Sequence, residues 1–330
     1  MRKFIGIAAV IVAANGVNCG ARSEIESNND SKTPTETSSS TTSSTSTEEF
    51  LTREKLAIDT SDEIMGLLKD GACQPLASDV PADSELCRAV AIMDARNAMQ
   101  NFDDGTFHPE KFITHAEAAK TLTTAIGLPA YHAPCIKDIP NIDLTQWYSE
   151  FFGALCDKGV PITNGNPNNE IFPNKFITVT KWEEWKNGLN TYLGKNLTRA
   201  TVAEIIGIVL LNTPIPNNIT CESQFNDVAN DSTTCVLTNA MLNEGIIAQK
   251  DQFLPTQTTP YAEMSKLYVE TTGLQPVSTP VTYPGCDGSW YCYYMGVLNQ
   301  HNYMAGNLNG NATPVLKDAY KTAWEIAMDK

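Results

Sequence analysis

Threonines that can begin a helix recur along this 330-residue chain at nearly constant spacing, and this repetition limits its possible folds more than any other feature. Thr198 follows Thr52, and Thr259 follows Thr114, at almost the same distance along the chain. Several aspartates and cysteines repeat at similar offsets. An internal duplication of this kind predicts similar supersecondary units that bury their apolar faces against one another.

The best-formed copy of the repeated unit is residues 102–126. Asp104 and Gly105 indicate a turn. Thr114 and Glu117 predict a capping box, in which the hydroxyl accepts from the third helical amide and the carboxylate accepts from the threonine amide. Apolar residues then recur at helical spacing. We therefore predict a turn, a short extended segment and a capped helix.

Each half of the chain is predicted to contain three such helices. They begin near Thr52, Thr114 and Thr178 in the first half, and near Thr198, Thr259 and Thr313 in the second. Proline follows Thr259 and Thr313, as is typical of the first helical position. Thr180 and Glu183 offer another possible capping box. Two further helices per half follow loops that contain aspartate and cysteine, so we expect a mainly α fold.

The first 19 residues are predicted to be an export signal. Two basic residues precede an apolar run at 5–14, which is too short for a typical membrane-spanning helix. Residues 16–19 resemble a bacterial lipobox, in which Cys19 is lipidated, although Asn18 departs from the usual small residue. Ordinary secretion, with cleavage near Ala14 or Cys19, is the alternative.

Residues 20–48 are rich in serine and threonine and have too few apolar side chains to form a core, so we predict a disordered tether. A flexible coil of this length spans roughly 30 Å r.m.s.. With Cys19 lipidated, the protein would be exported, lipid-anchored in the cell envelope and exposed at the cell surface. The formal net charge of −15 argues against a nucleic-acid partner, because duplex binding needs lysines and arginines on the phosphates.

Apart from Cys19 the chain has eight cysteines, and an even number in an exported protein indicates disulfides. It has no Cys-x-x-Cys motif and only four histidines, so neither a metal site nor a cofactor is predicted. Motifs of serine hydrolases, zinc proteases and nucleotide-binding loops are absent. We therefore predict a non-enzymatic protein, with a carbohydrate-active enzyme that lacks these motifs as a third alternative.

The repeated units resemble S-layer homology repeats. The first unit carries Asp79-Val80, then Asp-Gly-Thr-Phe-His-Pro at 104–109 and Ile-Thr-His-Ala-Glu at 113–117, in the order of that family. Shorter fragments of the same pattern recur near Asp138, Asp227 and Asp287. The resemblance covers about 50–330.

In that family, three repeats form a pseudo-threefold bundle whose threonine-started helices pack centrally. The resemblance implies two such helical bundles here, at 49–195 and 196–330. It also implies grooves that bind a cell-wall polysaccharide or another peptidoglycan-linked glycan, with the arginine after the threonine as a main contact. Arg53 and Arg199 supply that arginine. The other four positions hold His115, Val179, Tyr261 and Val315.

The resemblance places ligand contacts at Thr52, Arg53, His115, Glu117, Trp147, Thr198 and Arg199. Each has a structural alternative. The threonines and the glutamate can act only as helix caps, the arginines can be solvated surface residues, and the tryptophan can pack in the core. A histidine is mostly neutral at pH 7, so His115 supplies little fixed charge for an anionic sugar.

The repeated loops also imply local disulfides, each joining the loop of a unit to its helix. The predicted pairs are Cys73–Cys87, Cys135–Cys156, Cys221–Cys235 and Cys286–Cys292. The first and third pairs correspond to each other in the duplication.

The leading hypothesis is a non-enzymatic, lipid-tethered envelope protein that binds cell-wall or S-layer-associated polysaccharide. The alternative is a helical interaction module that has lost glycan binding and contacts an envelope protein instead. The loss of four of the six motif arginines favours this alternative.

Overall fold

The computed structural model describes residues 48–165, 169–286, 288–304 and 308–329. These residues form ten α-helices joined by loops and a few isolated bridges, which confirms the predicted mainly α fold. The predicted signal peptide, Cys19 and most of the tether lie outside the described residues. None of the described helices is long and apolar enough to cross a membrane.

The helices fall into two runs of five. In the first half they are α1 (Arg53–Asp59), α2 (Glu85–Ala95), α3 (His115–Ile126), α4 (Ser149–Asp157) and α5 (Val179–Leu193). In the second half they are α6 (Arg199–Glu204), α7 (Thr233–Asn243), α8 (Tyr261–Thr272), α9 (Cys292–Gln300) and α10 (Leu316–Met328). Helices α1 and α6 each continue as a π-helix, over Thr60–Ile64 and Ile205–Leu210, and a short 3₁₀ helix spans Pro134–Asp138.

Four of the predicted helix starts are confirmed. Thr52, Thr114, Thr178 and Thr198 are N-caps, and each hydroxyl accepts from the amide three residues later. The capping box of α3 is complete, because Glu117 accepts from the Thr114 amide at 2.9 Å. Each cap satisfies an amide that has no partner inside its helix.

The other two starts are wrong by one and two residues. Helix α8 has Pro260 as its N-cap, and α10 has Val315. The reason is tertiary: the Thr259 amide donates to the Leu197 carbonyl, and the Leu197 amide donates to the Pro314 carbonyl, both at 2.9 Å, so the chain stays extended beyond each threonine. The residue that corresponds to the motif arginine in α10 is therefore Leu316, not Val315.

Two predictions in the first half also need correction. The capping box at Thr180 does not form, because Thr178 already caps α5. The sequence also predicts a helix start at Thr145, but α4 begins at Ser149, because the Asp143 carboxylate accepts from both the amide and the hydroxyl of Thr145.

The extended segments before α1, α3 and α5 pair with one another in a closed ring. Residue 50 bridges 178, residue 52 bridges 112, and residue 114 bridges 176. The second half repeats this ring before α6, α8 and α10: residue 198 bridges 258, residue 196 bridges 315, and the Tyr261 amide donates to the Ala312 carbonyl at 2.9 Å. Three helices thus start from each ring, while the pseudo-threefold symmetry remains a prediction.

The two halves pack in one compact unit. Across their boundary the Lys158 ammonium lies 2.7 Å from the Glu204 carboxylate, and the Trp324 indole donates to the Ile126 carbonyl at 2.6 Å. The predicted division between residues 195 and 196 remains a prediction.

All four predicted disulfides are present. They join Cys73 to Cys87, Cys135 to Cys156, Cys221 to Cys235 and Cys286 to Cys292. Each joins a cysteine that precedes one of the helices α2, α4, α7 and α9 to a cysteine near the start or end of that helix. A disulfide typically adds about 2–4 kcal/mol to stability.

Candidate functional site

Arg53 and Arg199 occupy equivalent positions in the two halves. Each is the first residue of its helix, and each donates from Nε to a phenylalanine carbonyl: Arg53 to Phe107 at 2.7 Å and Arg199 to Phe253 at 2.6 Å. Each guanidinium also lies over the ring of that phenylalanine, at 4.4 and 5.0 Å from the centroid. Both the arginine and the phenylalanine that holds its guanidinium are therefore repeated in the two halves.

An aspartate holds each phenylalanine loop in place. The Asp79 carboxylate accepts from the amides of Phe107 and His108 at 2.7 and 2.8 Å, and Asp227 accepts from the two equivalent amides at the same distances. Burial would raise the pKa of Asp79, but these backbone hydrogen bonds outweigh it, so the net shift is downward. Asp79 and Asp227 therefore anchor equivalent loops in the two halves.

An open cavity of about 270 Å³ lies beside Arg199, between α6, α7, α8 and the residues just before α9. We call it the Arg199 cavity. Its polar lining consists of Arg199, Thr259, Glu263, Lys266, Glu270 and the Trp290 indole, and its apolar lining includes Met241 and Leu267. The Trp290 ring is 58% exposed, so its face is available to a ligand.

The charges of the Arg199 cavity are matched. Arg199 lies 3.6 Å from Glu263, and Lys266 lies 4.0 Å from Glu270. Glu263 occupies the same helical position as the capping-box glutamate of α3, but its N-cap is Pro260, which has neither an amide hydrogen nor a hydroxyl. Its carboxylate is therefore free to face the arginine.

The Thr259 hydroxyl lacks a hydrogen-bond partner among the described residues, although the residue is only 1% exposed. Thr259 lines the Arg199 cavity. Leaving a buried hydroxyl unpaired costs roughly 1–3 kcal/mol. The equivalent residue in the first half is Ile113, which has no hydroxyl, so the unpaired hydroxyl occurs only at the second-half position of this pair.

The first-half arginine is enclosed instead. The Arg53 guanidinium lies 4.8 Å from the Phe102 ring as well as over Phe107, and Nη2 donates to the Gln100 carbonyl at 2.9 Å. Burial lowers the pKa of Arg53, partly offset by Glu117 and Asp79. Five residues before the supporting phenylalanine, the second half has Ala248 in place of Phe102. The extra ring covers the face that the Arg199 cavity leaves open.

Glu117 lies near Arg53, and Thr52 and Thr198 directly precede the two arginines, whereas His115 and Trp147 lie elsewhere. His115 is buried, and its Nδ1 lies 3.0 Å from the Lys175 carbonyl. Burial and two nearby lysines, Lys181 and Lys175, lower its pKa, so it is neutral at pH 7. The Glu117 carboxylate is used in the α3 cap, and the hydroxyls of Thr52 and Thr198 accept backbone amides.

Trp147 lines a separate cavity of about 400 Å³ with Lys120. Its ring is 53% exposed and lies 5.9 Å from the Lys120 ammonium, the same arrangement as Trp290 with Lys266. Trp290, Lys266 and Thr259 were missed as site residues. Trp290 could have been found from the duplication, because it corresponds to the predicted contact Trp147. Thr259 could not, because the sequence does not show whether a hydroxyl has a hydrogen-bond partner.

Comparison with known proteins gives one family and two curated relatives. Residues 78–119 match the model of the S-layer homology domain. The S-layer protein sap of Bacillus anthracis and an S-layer protein of Bacillus thuringiensis subsp. finitimus are each 31% identical over 112 residues, which cover 31% of this chain and 13% of the relative. The chain thus spans only a small part of these relatives. It contains, from the Asp79 loop to the first turns of α3, a segment that matches the S-layer homology domain.

Proposed function

We propose that the protein binds a cell-wall polysaccharide in the bacterial envelope through the Arg199 cavity, without catalysing a reaction. The observation that carries this proposal is the cavity itself. It combines a fixed guanidinium, an exposed indole face and a buried hydroxyl that lacks a partner. The similarity of residues 78–119 to S-layer homology domains, and of a longer stretch to S-layer proteins, supports an envelope role.

The chemistry of the cavity suits a hydroxyl-rich, largely uncharged sugar. Its two cations are each paired with a carboxylate, so a strongly anionic glycan would meet no excess positive charge. A sugar ring presents an apolar face that can pack on the Trp290 indole. Its hydroxyls can satisfy both the Thr259 oxygen and the unused guanidinium hydrogens.

We assign the binding to the second half. Phe102 covers the guanidinium of Arg53, so the first-half arginine acts as a structural residue. Of the ligand contacts expected from the family resemblance, Arg199 alone lines this cavity. Thr52, Thr198, His115 and Glu117 stabilise the helices or the core.

Attachment to the membrane is part of this proposal. The signal-like residues 1–19, with lipidation at Cys19, would hold the protein at a bilayer, and residues 20–48 would let the folded part reach the wall. Export is supported by the four disulfides, which form in oxidising compartments.

A protein-binding module is the second candidate. The observation that favours it is the replacement of the motif arginine by His115, Val179, Tyr261 and Leu316, together with the closed groove at Arg53. In this case the exposed Trp147 would contact an envelope protein, and cross-linking would capture that partner from envelopes whose polysaccharide has been removed.

Binding to purified sacculi, with and without chemical removal of the secondary polysaccharide, tests the proposal. We expect retention that depends on the polysaccharide and falls at least tenfold in Trp290→Ala and Arg199→Ala. Trp147→Ala and Arg53→Ala are the matched controls, because each removes the same residue type in the first half. Absence of retention on either preparation would reject the proposal, and equal losses in the first-half variants would reject its assignment to the Arg199 cavity.

A further inference from the structure

Three phenylalanine rings meet at the ring of extended segments in the first half. The centroids of Phe50, Phe112 and Phe176 are 5.6 to 5.8 Å apart, so each ring contacts the other two. Phe112 is 43% exposed and Phe176 is 47% exposed, and Phe50 is partly exposed. We call these residues the phenylalanine triad. Each stands two residues before the N-cap of α1, α3 or α5.

The second half shows that the backbone ring does not need these side chains. Its corresponding residues are Asn196, Thr258 and Thr313, and there two bridges and a backbone hydrogen bond close the ring. All three are polar. The duplicated ring therefore shows that the fold does not require the three aromatic side chains of the triad.

The described part of the chain begins at Glu48, two residues before Phe50 of the triad. We infer that the triad inserts into the surface of the lipid bilayer to which the preceding N-terminal segment is attached. This inference rests on the anchoring part of the proposed function. A tether of this length keeps the bilayer within roughly 30 Å of the triad, and aromatic rings are favoured at the membrane interface.

The size of the triad favours a bilayer over a second copy of the chain. Three partly exposed rings offer on the order of 200–300 Å² in total, given that a fully buried aromatic side chain covers about 150–250 Å². A stable protein–protein interface needs about 800 Å² from each partner. Ring insertion into lipid has no such minimum area, since its free energy scales with the apolar surface removed from water.

The charges near the triad are balanced. Lys111 and Lys175 precede two of the phenylalanines and are exposed, and Glu48 and Glu49 precede the third and are exposed as well. Attraction to anionic headgroups is therefore small, and insertion depends on the rings. We expect the attachment to persist at high salt, where contacts between exposed charges are screened.

A tryptophan reporter at residue 112 tests this inference. The full chain carrying Cys19→Ser is mixed with vesicles of phosphatidylethanolamine and phosphatidylglycerol that contain brominated acyl chains, which quench tryptophan locally. The fluorescence of the introduced tryptophan is the emission of Phe112→Trp minus that of the parent protein. We expect the brominated vesicles to quench most of this fluorescence at both low and high salt. Thr258→Trp, the matched position in the second half, should keep its emission.

Three results would overturn the inference: no quenching at residue 112, equal quenching at residues 112 and 258, or an emission change that follows protein concentration without vesicles. The last result would show that a second copy covers the triad. Binding through the apolar run at 5–14 alone would not quench residue 112 selectively. Phe112→Ser with Phe176→Ser should abolish triad insertion yet leave retention on sacculi unchanged, which separates this inference from glycan binding.

Discussion

Lys158 and Glu204 form a buried ion pair, 2.7 Å long, that joins the first half of the chain to the second. The hydroxyls of Tyr320 and Tyr192 also donate to the Glu204 carboxylate, at 2.8 and 3.3 Å. Burial lowers the pKa of Lys158, but Glu204 and Tyr192 outweigh that effect and raise it overall. The Glu204 carboxylate thus accepts from Lys158, Tyr192 and Tyr320, which lie on three different helices or helix ends. These contacts link the two halves of the chain.

Removing this carboxylate should destabilise the protein. Glu204→Gln leaves the Lys158 ammonium with the Asp157 carboxylate, 3.2 Å away, as its remaining counter-charge, so the cost should fall below the roughly 3–5 kcal/mol of a buried charge left entirely unpaired. Urea unfolding would measure the loss. The double variant Lys158→Met with Glu204→Leu removes both charges and should be the more stable of the two, so a double variant that is equally unstable would contradict the electrostatic explanation.

Stability should fall with rising pH above about 10. Burial and the nearby Glu204 raise the pKa values of Tyr320 and Tyr192 in the folded protein. An unfolded tyrosine ionises near pH 10, so above that pH the unfolded state releases protons that the folded state retains. The contribution is complete below pH 10 and declines above it, by about 1.4 kcal/mol per pH unit for each such group.

Urea unfolding midpoints at neutral pH and above pH 10 would measure this slope. Tyr320→Phe removes one titrating group, so it should reduce the slope by about one proton. Tyr293→Phe is the control, because that ring is 45% exposed. If both variants have the same slope as the parent protein, Tyr320 does not couple proton uptake to folding.

Exchanging one side chain between the halves should close the Arg199 cavity. By its position five residues before Phe253, Ala248→Phe introduces an aromatic ring at the sequence equivalent of Phe102, and Ala248 is exposed. We expect retention on sacculi to fall at least tenfold, as in Trp290→Ala. Phe102→Ala, the reverse exchange, should leave that retention unchanged or raise it by exposing Arg53. Undiminished retention in Ala248→Phe would contradict the assignment of binding to this cavity.

The Thr259 hydroxyl should lower the stability of the fold and strengthen ligand binding. Thr259→Val keeps the shape of the side chain and removes an unpaired buried oxygen, so we expect the free energy of unfolding to rise by roughly 1 kcal/mol. Retention on sacculi should fall, because the ligand loses a hydrogen-bond partner. Thr123→Val is the control for stability, since Thr123 also has an unpaired hydroxyl in the described part but lies outside the cavity. A stabilised variant with full retention would show that the hydroxyl does not contact the ligand.

Most of the local structure could be predicted from the sequence. The capping box at Thr114 and Glu117 spans three residues, and hydrogen bonds within one turn depend little on the rest of the chain. The disulfide partners are also close in sequence, and the duplication repeated the spacing of Cys73–Cys87 in Cys221–Cys235. The equivalence of Arg53 and Arg199 followed from the same duplication.

The starts of α8 and α10 could not be predicted in this way. Thr259 satisfies the local rule for a cap, but its amide donates to Leu197, which lies far away in the chain. The extended segment continues to Pro260 because the ring of three segments requires it. A hydrogen bond between distant segments overrides a local preference when it pairs backbone groups that would otherwise be buried without partners.

The sequence by itself therefore determined the helical units, their caps in the first half, the disulfides and the positions of the two motif arginines, because each depends on residues a few positions apart or on an exact repeat. Only the tertiary structure decided which arginine borders an open cavity. Phe102, which lies about fifty residues after the start of α1, covers Arg53, whereas Arg199 borders an open cavity. Likewise, three phenylalanines on separate segments form one exposed cluster only when their backbone segments pair in a ring.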